Sequence, residues 1–362
     1  MAEGIAPNEE EHPAPEIAGS VTAASHSDMP LLAVNDLSVS FATADGVVNA
    51  VSGLSFTVER GTTLGLVGES GSGKTVATQT IVGLTQGARI TGEVLFDGRN
   101  TLSMDVEELR RVRGAEIALI FQDPLSSLHP LYRVGWQIVE TIRAHEPVGK
   151  RVARRRAIDL LRLVGIPEPE ARVDDFPHQF SGGMRQRAMI AMALAPSPKL
   201  LIADEPTTAL DVTVQAQIVE LMKSLQAESE MAIILITHDL GVVSGFADEV
   251  LVMYAGRAVE RGDRHSIYSL PHHPYTRGLI HALPGQSGTK DRLTPIPGSP
   301  PSLIHLPAGC PFNPRCGDAM SRCRVDLPPL RPVGGGSGHR SACWLPPERV
   351  GLESGAAAGA TT

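Results

Sequence analysis

The chain has 362 residues, with 32 Lys and Arg against 40 Asp and Glu and a formal net charge of -8. That length allows about two domains of ~150 residues each. A composition of 42% hydrophobic and 20% charged residues excludes a mostly disordered or collagen-like chain, and the acidic balance speaks against nonspecific nucleic-acid binding.

In chain order, residues 1–29 are rich in Ala, Pro, Glu and Ser without a hydrophobic period and read as a mobile tail. Glu3, Glu9, Glu10 and Glu11 stand where a secretory signal needs an apolar core. No apolar run reaches the ~18 residues of a membrane span, so a protein of the reducing cytosol is expected. A strand-like run begins near Leu31, and dense apolar patterning continues to about Tyr254. Short apolar strand candidates recur at Thr62–Val67, Ile117–Phe121, Leu200–Asp204, Ala232–Thr237 and Val250–Tyr254. The central ones are nearly continuous apolar runs, as expected of strands covered on both faces. Helical stretches separate several of them, which predicts an α/β fold with a largely parallel sheet. Asp105 to Pro196 is mostly helical, as in Val134–His145 and Arg151–Val164, and reads as a helical insert. From Pro284 onward, 13 of the 28 prolines fall in the last 79 residues, which excludes long helices there. The expected division is a tail over 1–29, a core over 30–283 with its helical subdomain at about 105–196, an irregular appendix over 284–346, and a second tail over 347–362.

Gly68-Glu69-Ser70-Gly71-Ser72-Gly73-Lys74-Thr75 fits G-x-x-x-x-G-K-[ST], follows a predicted strand and opens an apolar helical run at Val76. The glycines let backbone N–H groups face phosphate oxygens, and the helix start adds positive potential. Lys74 is expected on the β- and γ-phosphates and Thr75 on Mg²⁺. A second strand, Leu200–Asp204, ends in the acids Asp204 and Glu205 at the edge where parallel sheets bind ligands. Asp204 is expected to support Mg²⁺, and Glu205 to orient or deprotonate the attacking water.

Phe180-Ser181-Gly182-Gly183-Met184-Arg185-Gln186 resembles the signature motif of ABC ATPases. Gln122-Asp123-Pro124 is similar to that family's Q-loop, Ala209-Leu210-Asp211 to its D-loop, and Thr237-His238-Asp239 to its H-loop, all in the family's order. Phe41 stands where the family places an adenine-stacking aromatic. The resemblance covers about residues 31–280. It implies a P-loop NTPase of ABC type, with a helical subdomain, an antiparallel β portion and the cysteine-bearing appendix.

In that family, subunits pair head to tail. The resemblance therefore implies an ATP site built from Phe41, Gly68, Ser70, Gly71, Ser72, Gly73, Lys74, Thr75, Val76 and Asp204 of one subunit. Ser181, Gly182, Gly183, Gln186 and Asp211 would come from the other. It further implies that Gln122 touches the metal and the water, and that His238 contacts the γ-phosphate and holds Glu205.

Phe121-Gln-Asp-Pro-Leu-Ser-Ser-Leu-His-Pro130, His273-Pro-Tyr-Thr-Arg277 and Pro307-Ala-Gly-Cys310-Pro-Phe-Asn-Pro-Arg-Cys316 resemble the dipeptide, oligopeptide and nickel importer ATPases. His129 takes the place of an Asn often found there and carries no assigned role. The implied protein sits peripherally on the cytoplasmic face of the inner membrane. Its implied partners are a second ABC ATPase subunit, two membrane permeases and an extracytoplasmic solute-binding protein, with no nucleic acid. Ile90-Thr-Gly-Glu-Val and Glu107-Leu-Arg-Arg-Val-Arg look more like the first of the two ATPase subunits. Powering of peptide import is the leading reading. Import of another solute such as nickel and a soluble, non-transport ABC ATPase are the alternatives. Repair ATPases of that kind separate their halves by a coiled coil, and this chain has no heptads there. Trp136 and Trp344 form no base-stacking platform, and the basic run Lys150–Arg156 reads as a solvated helix face.

Cys310, Cys316, Cys323 and Cys343 are the four cysteines, with gaps of x5, x6 and x19 and no C-x₂-C knuckle. Four cysteines so close together match the ligand set of an iron–sulfur cluster. A metal crosslink would order a segment poor in core residues. Some resembling importer ATPases carry a [4Fe-4S] cluster in such a tail, which favours that cofactor, with zinc or free buried thiols as the alternatives. A structural role is expected over a redox role because the cysteines lie far along the chain from the nucleotide motifs.

Overall fold

A computed structural model describes residues 29–121, 127–207, 211–283, 295–334 and 338–346. Both tails therefore lie outside the described residues, apart from Met29. The strands are β1 (Leu32–Thr43), β2 (Gly46–Val58), β3 (Thr63–Val67), β4 (Ala88–Phe96), β5 (Arg99–Asn100), β6 (Ile117–Ile120), β7 (Leu200–Asp204), β8 (Ala232–Thr237), β9 (Glu249–Tyr254), β10 (Arg257–Asp263), β11 (Arg331–Pro332) and β12 (Arg340–Ser341). Among the described residues, the helices are α1 (Lys74–Ile81), α2 (Val106–Val112), α3 (Val134–His145), α4 (Lys150–Leu163), α5 (Pro169–Arg172), α6 (Gly182–Leu194), α7 (Val212–Ser229), α8 (Leu240–Ser244), α9 (Arg264–Ser269) and α10 (Pro274–His281).

The large sheet has the order β11-β12-β10-β9-β3-β8-β7-β6. Its pairings from β6 through β9 are parallel, while β10 returns antiparallel to β9. Every residue of β3, β7 and β8 is buried, as the unbroken apolar runs predict. Successive side chains point to opposite faces, so the sheet divides two cores. Val67, Leu201, Ala203, Ile233 and Leu235 face one. Leu64, Leu66, Leu200, Ile202, Ile234 and Ile236 face the other. At ~1.5–3 kcal/mol for each large aliphatic side chain fully buried, these strands are the stable floor on which the site rests.

The second core is closed by α1 and by a four-stranded antiparallel sheet, β2-β1-β4-β5, which supplies Val34, Leu54, Phe56, Val94 and Phe96. This is the expected antiparallel portion. The first core is closed by α3, α4 and α6 through Ile138, Ile142, Ala153, Ala157, Leu161, Ala188 and Ile190. Strand β6 lies within the mostly helical stretch 105–196 yet pairs with β7 in the large sheet. On α4 the alanines and Leu161 turn inward, while Arg154 makes two bonds to Asp174 at 2.7 and 3.0 Å and Arg156 pairs with Glu146. Two arginines of the basic run are thus ion-paired on the outer side of the helix.

The appendix extends the large sheet. Strand β12 lies antiparallel to β10 with Ser341 opposite Glu260, and β11 lies outside it. Cys310, Phe312 and Cys323 join the first core alongside Tyr254 and Tyr275. Glu260 is fully buried and accepts the backbone N–H groups of His272 and His273 at 2.6 and 2.9 Å. Its Oε1 also lies 2.7 Å from His339 Nε2 of the appendix. One buried carboxylate therefore ties β10, the entry to α10 and the appendix together.

Candidate nucleotide site

Strand β3 sits between β8 and β9 and releases the chain at Gly68. Gly73 is the N-cap of α1 at φ 99, with no side-chain cap. A Cβ at Gly73 would stand 2.3 Å from the Ala50 carbonyl oxygen, so only glycine fits. The helix start is left open to an anion. Lys74 is buried, and its Nζ donates to the carbonyl oxygens of Gly68 and Glu69 at 2.7 and 3.0 Å. Burial lowers its pKa, opposed by the negative charges of Glu205, Asp204 and Glu69. Ser72 is buried beside it, 3.3 Å from Nζ, while Ser70, Gly71 and Thr75 are exposed and Val76 is half-buried.

Strands β7 and β8 are neighbours, and this adjacency assembles the acidic side. Asp204 is buried, which raises its pKa, and the Thr75 hydroxyl hydrogen-bonded to it pulls the other way. Thr75 and Asp204 thus meet, as a shared Mg²⁺ requires. Glu205 follows at φ 46, an uncommon left-handed conformation for a non-glycine residue. Its N–H donates to the Ile236 carbonyl at 2.9 Å. Its carboxylate lies 3.2 Å from His238 Nδ1, just past the end of β8. The His238 side chain is 57% exposed and the Glu205 side chain 11%, so the histidine stands at the mouth and the acid within.

Ser181 caps α6, its hydroxyl accepting the Met184 N–H at 3.3 Å. Asp211 caps α7, its carboxylate accepting the Val214 N–H at 2.9 Å. Gly183 abuts Val214 so closely that a Cβ there would stand 2.9 Å from it. Signature and D-loop residues therefore share one neighbourhood, with Ser181, Gly182 and Asp211 exposed. Gln186 is buried, and its amide nitrogen has no partner among the described residues. Phe41 is half-buried on β1, packed against the second core. Gln122, like Asp123-Pro124 and Ala209-Leu210, lies outside the described residues.

The four cysteines carry free thiols and line one enclosed cavity of about 10 Å³, room for about one water. Gly309, at φ 69, lets the chain cross close to Cys323: a Cβ there would stand 2.4 Å from the Cys323 carbonyl oxygen. That oxygen accepts the Cys310 N–H at 2.8 Å. Burial pushes the Cys310 thiol up to about 11 and that of Cys343 up to about 12, and raises that of Cys316. The donor chemistry is that of a soft metal. As placed, however, no three His, Cys, Asp or Glu side chains among the described residues are grouped to hold a metal ion.

The cysteines lie far along the chain from the nucleotide motifs, yet the segment that carries them reaches the phosphate loop. Arg315, next to Cys316, makes two bonds to the Glu69 carboxylate of the phosphate loop, at 2.7 and 3.1 Å. The Tyr275 hydroxyl accepts the Glu69 N–H at 2.8 Å. The sheet order bridges that distance, carrying β9, β10 and the appendix back toward β3. Tyr275 and Arg315 lie in the two segments noted above only as marks of resemblance, and that was the available signal for them.

A phosphate loop, a histidine at the end of the neighbouring strand, an acid-ended strand beyond it and a capped signature helix define a P-loop ATPase of the ABC type. The chain matches the ABC transporter family over residues 51–208 and the oligopeptide/dipeptide transporter C-terminal region over residues 259–323. It is 50% identical to the dipeptide transport ATP-binding protein DppD of Escherichia coli over 325 residues, 89% of this chain and 99% of that one. It is 48% identical to the oligopeptide transport ATP-binding protein OppD of Haemophilus influenzae over 324 residues, again 89% and 99% of the two chains. Among solved structures it is similar to the ATP-binding cassette MJ0796, seen as a dimer in a post-hydrolysis state bound to ADP and Pi. That match has a TM-score of 0.59 and 26% identity, covering 64% of this chain and 98% of the other. The chain belongs to the family of ABC transporter ATP-binding proteins that includes these oligopeptide and dipeptide transport members. As an ABC ATPase it binds and hydrolyses ATP. None of its described helices is long and apolar enough to cross a membrane.

Proposed function

We propose that this chain powers import of di- or oligopeptides through a membrane ABC transporter. The observation that carries the reading is the Glu205–His238 pair beside an open phosphate loop, in a chain that also holds the oligopeptide/dipeptide C-terminal region. Lys74 and the N–H groups at the start of α1 hold the phosphates. Thr75 and Asp204, with Gln122, hold Mg²⁺, which neutralises charge on the phosphate oxygens. Glu205 takes the proton of the attacking water, and His238 orients Glu205 and meets the γ-phosphate. Ser181, Gly182 and Gly183, at the start of α6, serve the site of a second ATPase subunit, and Asp211 flanks them. Closure follows from better binding of ATP to the paired state, and opening from loss of the γ-phosphate.

The groove lined by Phe121, Thr141, Met189 and Met192 suits the membrane permease. With the permease in the membrane and an extracytoplasmic binding protein outside, the chain works on the cytoplasmic face of the inner membrane. The isolated chain should hydrolyse ATP slowly. The assembled complex should hydrolyse it faster when the binding protein carries peptide. A dilute monomer with the full rate of the complex would contradict the reading.

The same proposal includes a [4Fe-4S] cluster on Cys310, Cys316, Cys323 and Cys343. It is supported by four free thiols gathered on one cavity in a segment with little core of its own. Loading would release protons, because burial favours the neutral thiols of Cys310, Cys316 and Cys343. Protein purified anaerobically should be brown, with broad absorption near roughly 400 nm and about four irons per chain. Colourless protein with one zinc per chain, or no metal, would refute the cluster.

A further inference from the structure

We propose that Arg315 is a positioning residue of the phosphate loop, acting through Glu69 and cancelling the charge of that carboxylate. The motif G-x-x-x-x-G-K-[ST] leaves the residue after its first glycine free, and this chain places a carboxylate there. An uncompensated negative charge beside bound phosphates repels them, the more so where the surroundings are partly desolvated.

The structure answers that charge. Both terminal nitrogens of Arg315 donate to the two Glu69 oxygens, a forked pair that fixes direction as well as distance. The Arg315 side chain is only 6% exposed. It is held from behind as well: Nε donates to the Pro297 carbonyl at 2.8 Å, and Nη1 lies 3.3 Å from the Tyr254 hydroxyl. Its guanidinium stands 5.8 Å from the ring centres of both Tyr254 and Phe312.

Residue 69 is thereby pinned at three points. Tyr275 holds its N–H, Lys74 its carbonyl and Arg315 its carboxylate. Two of the three anchors come from the C-terminal region, and Lys74 is the residue expected on the phosphates. Arg315 therefore sets how the loop presents Lys74 and the N–H groups, without itself touching the nucleotide. The inference rests on the phosphate-loop reading, which Lys74→Ala tests separately.

The test is binding of a fluorescent ATP analogue to the full chain, with steady-state kinetics in the assembled complex. Arg315→Ala should weaken binding about tenfold and raise KM in step. It should leave kcat within about twofold, since the Glu205–His238 pair is untouched. Arg315→Lys, which keeps the charge and loses the fork, should fall between wild type and Arg315→Ala. The double variant Arg315→Ala with Glu69→Gln should regain most of the lost affinity, because the charge that needed cancelling is gone. A merely structural role would not be rescued in that way.

Wild-type affinity in Arg315→Ala would overturn the proposal, as would a loss that Glu69→Gln does not restore. Should Arg315→Ala fail to fold, Arg315→Gln carries the same comparison. Alone it must bind ATP more weakly, and with Glu69→Gln it must bind close to wild type. Equal affinity of those two folded variants overturns the proposal.

Discussion

Glu205→Gln should bind ATP as wild type does and turn it over about 10²–10⁴ times more slowly, the usual cost of losing a general base. The amide keeps the volume of the side chain and one oxygen facing His238, 3.2 Å away in the wild type. It also keeps the left-handed backbone at φ 46 no more strained than before, because Gln and Glu are alike in that respect. What it loses is the capacity to take the proton of water. The ATP-bound pair of subunits should therefore persist. Single-turnover hydrolysis in the assembled complex reads this directly, and a rate near wild type would remove Glu205 from the role proposed for it.

Lys74→Ala should act one step earlier. Its ammonium is the one buried cation that bonds the carbonyls of Gly68 and Glu69 among the described contacts of the loop. Three carboxylates, Glu205, Asp204 and Glu69, act on it. Removing it leaves those charges facing the phosphates with no cation from the loop. A charge-assisted contact of this kind is worth about 1.5–3 kcal/mol, so ATP affinity should fall roughly ten- to a hundredfold. Equilibrium binding of a labelled nucleotide measures it, and unchanged affinity would sink the role assigned to Lys74.

The parts of the site that were legible in the sequence are those whose physics is local. A Gly-rich turn between a strand and a helix, and an acid at the end of an apolar strand, state their chemistry within a few residues. The structure brings Lys74, Thr75, Asp204, Glu205 and His238 together because β3, β8 and β7 are adjacent, as a parallel sheet built from those runs requires. The basic run on α4 was readable for the same reason, since alanines at helical spacing left the arginines outside.

What was not legible depends on long-range register. Nothing local to Glu69 announces a partner 246 residues away in Arg315. Nothing local to Glu260 announces His339, because the pairing of β12 with β10 decides it. The burial of Gln186 was not legible for a related reason. A motif names the residues of a helix start without saying where the packed face begins, and at Gln186 that face has already begun.

The central claim, that this chain drives peptide import, is tested most directly by uptake. Vesicles carrying the assembled transporter, with ATP on the side of this chain and the binding protein on the other, should accumulate a labelled dipeptide or oligopeptide. Glu205→Gln in this chain should abolish that accumulation. Peptide uptake that continues undiminished with Glu205→Gln, or a wild-type complex that hydrolyses ATP and accumulates no peptide, would contradict the account.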